Sequence, residues 1–301
     1  MKLAVAGLGR MGMQIARKLA EDGHTVIAHN RSREPVDTAV SYGATAAYAK
    51  EDVVAAFEGN PVILWLMIPA EAIDSELQAW LHILPAGSTI IDGGNSDFRR
   101  TQTHAETVVA AGVHLVDVGT SGGVWGYENG FSMMVGGDAA QCAAIEPALR
   151  TLASPGGAYR HFGPSGAGHY VKMVHNAIEY GMMESLAEGY RMLKEGPYDG
   201  LDLAGAGDVW QHGSVVTSWL NELSRQALAE NPQLDGVDGY VAESGEARWT
   251  LEVAKEASIP LPAIQTSFDV RLASQQGDTT FATKLLAAMR NKFGGHAINK
   301  E

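Results

Sequence analysis

The segment Lys2-Leu-Ala-Val-Ala-Gly7-Leu-Gly9-Arg-Met-Gly12 sets the architecture of the first half of the chain. Its opening residues predict a short apolar strand, and a helical stretch follows the last glycine. In such a unit the first glycine allows a tight turn, the second admits a pyrophosphate, and the third lets helix and strand pack closely. The phosphates then lie at the positive end of the helix dipole. The spacing predicts a dinucleotide site made by Gly7, Leu8, Gly9, Arg10, Met11 and Gly12.

Apolar strands and helical segments alternate through the next 150 or so residues. The pattern predicts further strands at 25–29, 61–68, 88–92, 113–118, 131–135 and 159–162. It predicts helices at 13–21, 35–42, 50–57, 72–83, 98–111 and 139–152. Continuous apolar strands alternating with helices are typical of a parallel sheet covered on both faces. We therefore expect residues 1–163 to form a dinucleotide-binding domain of the Rossmann type.

The character of the chain changes after Gly163-Pro164. Residues 165–195 predict one long helix, and helical pieces broken at prolines follow it. Residues 164–301 are therefore predicted to form an all-helical domain for substrate binding and oligomerisation. The long helix is too apolar for a surface helix, which predicts that a partner subunit covers part of it.

Composition narrows the class of protein. A hydrophobic fraction of 46% and a charged fraction of 19% are typical of globular proteins. The net charge of -13 argues against nucleic acid and anionic membrane surfaces as partners, and no apolar run is long enough to span a membrane. Cys142 is the one cysteine, so an intramolecular disulfide is excluded and a reduced, cytoplasmic compartment is predicted.

The turn after the second strand, His29-Asn-Arg-Ser-Arg33, bears on the choice of cofactor. An acid at this position favours NAD, whereas an arginine pairs with the 2′-phosphate of NADP. The charges of Arg31 and Arg33 favour NADP, with Ser32 beside them, but Asn30 can also bind a free hydroxyl. At the end of the third strand, Leu66 and Met67 are expected to line the cofactor, although core packing explains such residues equally well.

Two glycine-containing loops follow later strands, Gly93-Gly-Asn-Ser96 and Gly119-Thr-Ser-Gly-Gly123. Open α/β sheets bind ligands at the carboxyl ends of their strands. Glycines there bring backbone N–H groups close to an anion, and Asn95 and Ser121 add side-chain hydrogen bonds. Together the loops predict a substrate cleft.

Lys172, His175, Asn176 and Glu179 are spaced i, i+3, i+4 and i+7 within the long helix, which places them on one face. A base, an acid and two hydrogen-bonding groups among apolar neighbours is an arrangement that shifts pKa values toward catalytic use. A polar face that simply meets water is the alternative explanation.

Five motifs keep their order along the chain. They are the glycine-rich start, Gly93-Gly-Asn-Ser96, Ser121-Gly-Gly123, Val171-Lys-Met-Val-His-Asn-Ala-Ile-Glu-Tyr180 and Arg290-x-x-Phe-Gly-x-His296. Together they resemble the decarboxylating 6-phosphogluconate dehydrogenases in their short form. The resemblance implies oxidation of 6-phospho-D-gluconate to D-ribulose 5-phosphate and carbon dioxide in the pentose phosphate pathway. The implied cofactor is NAD or NADP, with NAD favoured by the short-form relatives.

The resemblance also implies roles for matching residues. Lys172 would take the proton from the C3 hydroxyl, and Glu179 would protonate C1 of the enediol after decarboxylation. The sugar acid would be held by Asn95, Ser121, Gly122, Gly123, His175, Asn176 and Tyr180, and Asn95 would also contact the cofactor. The phosphate would be bound by Arg271, Arg290 and His296, the last two reached from a neighbouring subunit of a homodimer or homotetramer. No metal is implied, because a β-keto acid loses carbon dioxide readily beside a cation such as reprotonated Lys172.

One segment departs from the family pattern, and two other functions remain open. The long form carries a lysine and a threonine near residues 242–249, where this chain has Ser244 and Glu246. Glu246 does not attract a phosphate, which shifts phosphate binding to Arg271, Arg290 and His296. The first alternative function is a non-decarboxylating β-hydroxyacid dehydrogenase of the 3-hydroxyisobutyrate or tartronate semialdehyde type. The second is a nucleotide-sensing protein without turnover.

Overall fold

The computed structural model describes residues 1–295 of the 301-residue chain. The chain divides into two compact units, Met1–Met173 and the part from Val174 onward. The division falls inside the long helix, whereas the domain boundary expected from the sequence precedes that helix at residue 163. Each unit is described separately below.

The first unit is built on an eight-stranded sheet with the order β3-β2-β1-β4-β5-β6-β7-β8. The strands are β1 (Lys2–Ala6), β2 (Thr25–His29), β3 (Thr45–Ala47), β4 (Ile63–Leu66), β5 (Thr89–Asp92), β6 (His114–Ser121), β7 (Ser132–Gly137) and β8 (Ala158–Gly163). Neighbouring strands are parallel except for β6 and β7, which are antiparallel. The connection between them, residues 122–131, is shorter than the crossover of about a dozen or more residues that parallel strands need. The Rossmann-type fold is confirmed, with one antiparallel pair that the sequence did not predict.

Helices cover both faces of this sheet. They are α1 (Arg10–Glu21), α2 (Arg33–Ser41), α3 (Lys50–Ala56), α4 (Ile73–Leu81), α5 (Phe98–Ala110), α6 (Gly126–Asn129), α7 (Ala139–Ala144) and α8 (Glu146–Ala153). Alternate residues of β1 point into different apolar cores, with Leu3 and Val5 in one and Ala4 and Ala6 in the other. Two cores on opposite sides explain why the strands are apolar at consecutive positions.

The second unit is helical throughout its described part. The helix α9 (Ala167–Glu195) begins in the first unit and continues into the second. It is followed by α10 (Leu203–Gln211), α11 (Trp219–Glu230), α12 (Glu246–Glu256), α13 (Pro262–Ser274) and α14 (Phe281–Gly294). None of the helices described is long and apolar enough to cross a membrane.

The start of α9 is fixed to the sheet by a buried carboxylate. Asp117 on β6 is fully buried and accepts hydrogen bonds from the backbone nitrogens of Gly166, at 2.7 Å, and His169, at 2.8 Å. These donors belong to the first turn of the helix, where backbone N–H groups lack partners within the helix. Asp117 therefore anchors the start of α9 to β6, a few residues before Lys172.

The expectation that α9 is buried holds on one side only. Lys172 is 5% exposed, whereas Ile178, Met182 and Met192 are 51%, 46% and 65% exposed. These three apolar side chains recur along the helix and leave an apolar stripe on the surface of the single chain.

Candidate active site

The glycine-rich loop between β1 and α1 has the geometry of a phosphate cradle. Gly7 has a φ of +93°, and a Cβ there would lie 2.3 Å from the carbonyl oxygen of Met67. A Cβ on Gly12 would lie 1.9 Å from the carbonyl oxygen of Gly7, so helix and strand pack backbone to backbone. A Cβ on Gly9 would meet nothing within 4 Å. The space beside Gly9, at the N-terminus of α1, is therefore open, as the approach of a pyrophosphate in this type of fold requires.

Asn30 connects this loop to the end of β2. Its Oδ1 accepts from the backbone nitrogen of Leu8 at 3.0 Å, and its Nδ2 donates to Ser32 Oγ at 2.8 Å. These bonds hold the turn after β2 against the glycine-rich loop. Arg33 stacks on Tyr48, 4.2 Å from the ring centre, and lies 3.6 Å from Asp37. Arg31 and Arg33 are both exposed at the surface, and these contacts engage Arg33 with its own domain.

The residues at the end of β4 divide between core and surface. Trp65 and Leu66 are fully buried, and their side chains belong to the two apolar cores. Core packing therefore explains both, and Leu66 contributes its backbone, whose carbonyl accepts from Gly93 N at 2.9 Å. Met67 is partly exposed and lies next to Gly7 and Gly12, where it can line the cofactor site.

The loop after β5 is held by Asp92, which is 2% exposed. Its carboxylate accepts from the backbone nitrogen of Gly94 at 3.1 Å and from Ser96 Oγ at 3.2 Å. These bonds fix the loop on either side of Asn95, which is exposed at the carboxyl end of the strand. Asn95 is thus presented to a ligand from a rigid turn.

Lys172 lies against the last part of β6. A Cβ on Gly119 would lie 2.3 Å from Lys172 Cβ and 2.8 Å from its Cγ, so the absence of a side chain at Gly119 makes room for the lysine stem. The strand extends through Ser121, so the loop predicted from Gly119 begins instead at Gly122, which has a φ of +132°. Ser121 and the following glycines are partly exposed. A buried amine and a polar strand end are thereby fixed within the first unit.

In the second unit, three of the predicted site residues form a network with Ser244 and Glu246. His175 Nδ1 lies 2.9 Å from Asn176 Oδ1, and Asn176 Nδ2 donates to Glu246 Oε1 at 2.9 Å. Ser244 Oγ donates to Glu246 Oε2 at 2.5 Å, and the backbone nitrogen of Ser244 donates to the Tyr180 hydroxyl at 3.2 Å. Glu246 and Ser244, which depart from the family pattern, are therefore hydrogen-bonded to Asn176 and Tyr180, which match it.

Two guanidinium groups, those of Arg271 and Arg290, interact electrostatically with Tyr180. Arg271 is 2% exposed, and its guanidinium carbon lies 3.2 Å from the centre of the Tyr180 ring. Burial lowers the pKa of Arg271 to about 10, and repulsion from Arg290 adds to the effect. Burial also lowers the pKa of Arg290, against the attraction of Tyr180, Glu179 and Glu246. Within residues 1–295 neither guanidinium forms an ion pair with a carboxylate, so this cluster is suited to bind an anion.

Glu184 is a buried acid that the sequence did not single out. It is 5% exposed, and its Oε2 lacks a hydrogen-bond partner among the described residues. Burial raises the pKa of Glu184 to about 7, with repulsion from Glu188 adding to the shift and Arg271 opposing it. Glu179, the predicted acid, is half-buried on the same helix. His296, predicted to bind phosphate, lies outside the described residues.

Family models match both parts of the chain. A model described as the NAD binding domain of 6-phosphogluconate dehydrogenase matches residues 2–163, and one described as the 6-phosphogluconate dehydrogenase C-terminal domain matches residues 168–298. The NAD(+)-dependent, decarboxylating 6-phosphogluconate dehydrogenase of Haloferax volcanii is 39% identical over 303 residues, covering 100% of this chain and 99% of that protein. The decarboxylating enzyme of Synechococcus elongatus is 32% identical and covers 95% of this chain, which spans 64% of that longer protein.

Solved structures extend the comparison. The 6-phosphogluconate dehydrogenase of Plasmodium falciparum, studied with NADP+ and with 6-phosphogluconate, matches with a TM-score of 0.82 at 26% identity. The match covers 97% of this chain and 65% of that one. A 3-hydroxyisobutyrate dehydrogenase from Salmonella typhimurium matches with a TM-score of 0.76 at 21% identity, covering 95% of this chain and 99% of that one. The second similarity indicates a shared fold alone.

Proposed function

The chain belongs to the 6-phosphogluconate dehydrogenase family, and on this premise we propose that it oxidises and decarboxylates 6-phospho-D-gluconate to D-ribulose 5-phosphate. The observation that carries the proposal is a pair of guanidiniums, that of Arg271, which is buried against Tyr180, and that of Arg290, which is half-buried and interacts with both residues. A phosphorylated substrate needs such a cluster, whereas a small unphosphorylated hydroxyacid does not.

The cofactor is a nicotinamide dinucleotide, held by the loop from Gly7 to Gly12 and by the turn after β2. When bound, the nicotinamide accepts the hydride that leaves C3 of the substrate. Asn30 keeps the loop in place, and Arg31 and Ser32 would hold the ribose. We expect NAD to be used in preference to NADP, because a related full-length enzyme is NAD(+)-dependent and Arg33 is already engaged by Tyr48.

Lys172 is proposed as the general base. Its amine takes the proton of the C3 hydroxyl as the C3 hydrogen departs as hydride, which leaves a ketone at C3. Burial disfavours the charged amine before the reaction and supports this role. The ammonium then stabilises the enediolate that forms when the bond between C1 and C2 breaks and carbon dioxide leaves.

Glu179 is proposed as the acid that completes the reaction. It delivers a proton to C1 of the enediol, the carbon that carried the lost carboxylate. Its attraction to Arg290 supports a position near the substrate-binding cluster of the second unit. The base Lys172, its ammonium form and the acid Glu179 supply the groups needed for proton removal, decarboxylation and protonation of C1. We therefore propose that the reaction requires no metal ion. Full activity after treatment with a chelator is the expected result.

The remaining predicted residues are proposed to hold the substrate. Hydrogen bonds to the sugar acid come from Asn95, Ser121, Gly122, Gly123, His175, Asn176 and Tyr180. Arg271 and Arg290 bind the phosphate together with His296; Arg290 was expected from a neighbouring subunit but interacts electrostatically with Arg271 of its own chain. Glu246 does not contact the phosphate in this proposal, since both of its carboxylate oxygens accept hydrogen bonds from Asn176 and Ser244.

We propose a homodimer or homotetramer in the cytoplasm, with the C-terminal tail of one subunit reaching the site of another. The exposed apolar stripe formed by Ile178, Met182 and Met192 supports a covering partner. Sedimentation of the wild type and of the M182D variant tests this. An oligomer that the substitution weakens is expected, and a monomeric wild type would contradict the proposal.

The reaction itself is tested with a panel of acids. Formation of reduced cofactor is followed with 6-phosphogluconate, gluconate and 3-hydroxyisobutyrate, each with NAD and with NADP. The proposal predicts the largest kcat/KM with 6-phosphogluconate and NAD. A preference for 3-hydroxyisobutyrate would identify the non-decarboxylating class instead, and cofactor binding without turnover of any acid would indicate a nucleotide-sensing protein.

A further inference from the structure

A series of side-chain hydrogen bonds in the second unit ends on the carboxylate of Glu246. This residue is 3% exposed, and each of its two oxygens accepts one bond, from Asn176 Nδ2 at 2.9 Å and from Ser244 Oγ at 2.5 Å. Asn176 continues the series, because its Oδ1 lies 2.9 Å from His175 Nδ1. Glu246, whose negative charge would repel a phosphate, is therefore linked by hydrogen bonds to Asn176 and His175, which are proposed to bind the sugar acid.

The carboxylate fixes the direction of every bond in this series. A carboxylate only accepts hydrogen bonds, so the group of Asn176 that faces Glu246 must be its amide nitrogen. The amide oxygen of Asn176 then faces His175, and an oxygen of this kind also only accepts. His175 must therefore carry a proton on Nδ1, and in the neutral ring Nε2 is an acceptor.

The fold favours a carboxylate at this position. Glu246 is the first residue of α12 and directly follows Gly245, the N-cap residue of that helix. The N-terminus of a helix carries partial positive charge, which stabilises an acidic side chain there and disfavours a basic one. A lysine at this position would meet that charge and the donor groups of Asn176 and Ser244.

We infer that Glu246 is a positioning residue that sets the tautomer of His175. With Nδ1 protonated, Nε2 of His175 accepts a hydrogen bond from an O–H group and so selects a hydroxyl rather than a carboxylate or phosphate oxygen. That this hydroxyl belongs to the substrate rests on the proposed function. The tautomer itself follows from the hydrogen bonds that join His175, Asn176 and Glu246.

The same carboxylate also orders Tyr180. Ser244 uses its hydroxyl proton on Glu246 Oε2, while its backbone nitrogen donates to the Tyr180 hydroxyl at 3.2 Å. The ring of Tyr180 lies under the guanidinium of Arg271. Glu246 is thus linked through Asn176 to His175 and through Ser244 to the tyrosine beneath Arg271, so its removal should weaken substrate binding more than the chemical step.

Two substitutions separate this role from simple packing. E246Q keeps an oxygen that accepts from Asn176 and should retain the Nδ1 tautomer. E246L removes both acceptors and lets the amide of Asn176 rotate, so the Nε2–H tautomer of His175 should gain population. Nitrogen NMR of the imidazole rings in the full-length protein without substrate measures this directly, with the His175 signal assigned from the H175N variant.

Kinetics provide the second readout. E246L is expected to raise KM for 6-phosphogluconate about tenfold, because a buried donor loses its acceptor, with a smaller change in kcat. E246Q should stay within a factor of about three of the wild type. E256L, at the exposed end of the same helix, is the matched control and should behave as the wild type.

The wild-type spectrum alone can overturn the inference. A His175 that carries its proton on Nε2 at a pH where the ring is neutral would contradict it, and this result needs no variant to fold. An unchanged tautomer in E246L would contradict it as well. Failure of the proposed reaction would show as absent turnover of 6-phosphogluconate and would leave the tautomer result standing, so the two failures are distinct.

Discussion

The two halves of α9 hold their polar side chains in different ways. In the first unit, Lys172 is fixed by backbone packing, since Gly119 leaves room for its stem and Asp117 fixes the start of the helix. In the second unit, His175 and Asn176 are fixed by a hydrogen-bonded series that ends on Glu246. The position of the proposed base thus depends on backbone packing, and that of the proposed substrate-binding residues depends on hydrogen bonds to a carboxylate.

The glycines of this helix show the same contrast. A Cβ on Gly168 would lie 2.4 Å from the carbonyl oxygen of Met134 and 2.8 Å from that of Asp117. Cβ atoms on Gly181 and Gly189 would meet nothing within 4 Å. Replacing a glycine should therefore cost less stability in the second half of the helix than in the first. Removing a charged side chain should mainly lower kcat in the first half and mainly raise KM in the second.

The largest effect should come from K172M. Loss of the base is expected to lower kcat on the order of a thousandfold, with KM for 6-phosphogluconate changed far less. K255M, on the exposed last turn of α12, is the matched control and should keep full activity. Steady-state kinetics measure both parameters. A K172M enzyme that keeps most of its activity would show that Lys172 is not the base.

R290A should affect binding instead. Loss of one guanidinium from the cluster around Tyr180 is expected to raise KM between about tenfold and a hundredfold, while kcat falls much less. The control is R191A, whose guanidinium is exposed and paired with Glu195 on α9. An unchanged KM would show that the cluster does not bind the phosphate.

Substituting alanine for glycine sharpens the contrast in packing. G168A is expected to lower the free energy of unfolding by about 3 kcal/mol, because its Cβ would overlap strand backbone that cannot move easily. G181A is expected to raise the same free energy by about 0.5–1 kcal/mol, because alanine favours the helix and the space is open. Urea unfolding measures both, and equal effects of the two substitutions would contradict the contrast.

A smaller effect is expected for Glu184 and depends on pH. Because burial raises its pKa to about 7, the folded state retains this proton to a higher pH than the unfolded chain does. Its contribution to stability is complete below the unfolded pKa near 4.3 and is lost as pH rises to about 7. E184Q cannot ionise, so its stability relative to the wild type should increase by about 1–2 kcal/mol between roughly pH 4.5 and pH 8.

Urea unfolding at both pH values measures this difference. E195Q, which replaces an exposed carboxylate at the end of the same helix, should show little change with pH. If E184Q and the wild type lost stability equally over this range, the ionisation of Glu184 would not be the cause.

Most of the fold follows from local patterns in the sequence. The glycine spacing and the alternation of apolar strands with helices predicted the Rossmann-type sheet, and the proline breaks predicted the helical second part. The strand Thr45–Ala47 was missed because three residues carry too little pattern. The antiparallel pairing of β6 and β7 was missed because it depends on the length of the connection between them.

The candidate site was less accessible to sequence reasoning. Spacing alone placed Lys172 and His175 on one face of a helix, and this needed no tertiary contact. The role of Glu246 was missed, because Asn176, its partner, lies 70 positions away in sequence and nothing local indicates the bond. Arg33 was weighed as a phosphate ligand, and only the structure shows that Tyr48 and Asp37 engage it.

The most direct measurement is the ratio of carbon dioxide released to cofactor reduced when the wild-type protein is incubated with 6-phosphogluconate and NAD. A base and an acid that act in sequence on one substrate should yield one molecule of each, at every stage of the reaction. Reduced cofactor without carbon dioxide would contradict the account, since oxidation would then occur without the decarboxylation that Lys172 and Glu179 are proposed to carry through.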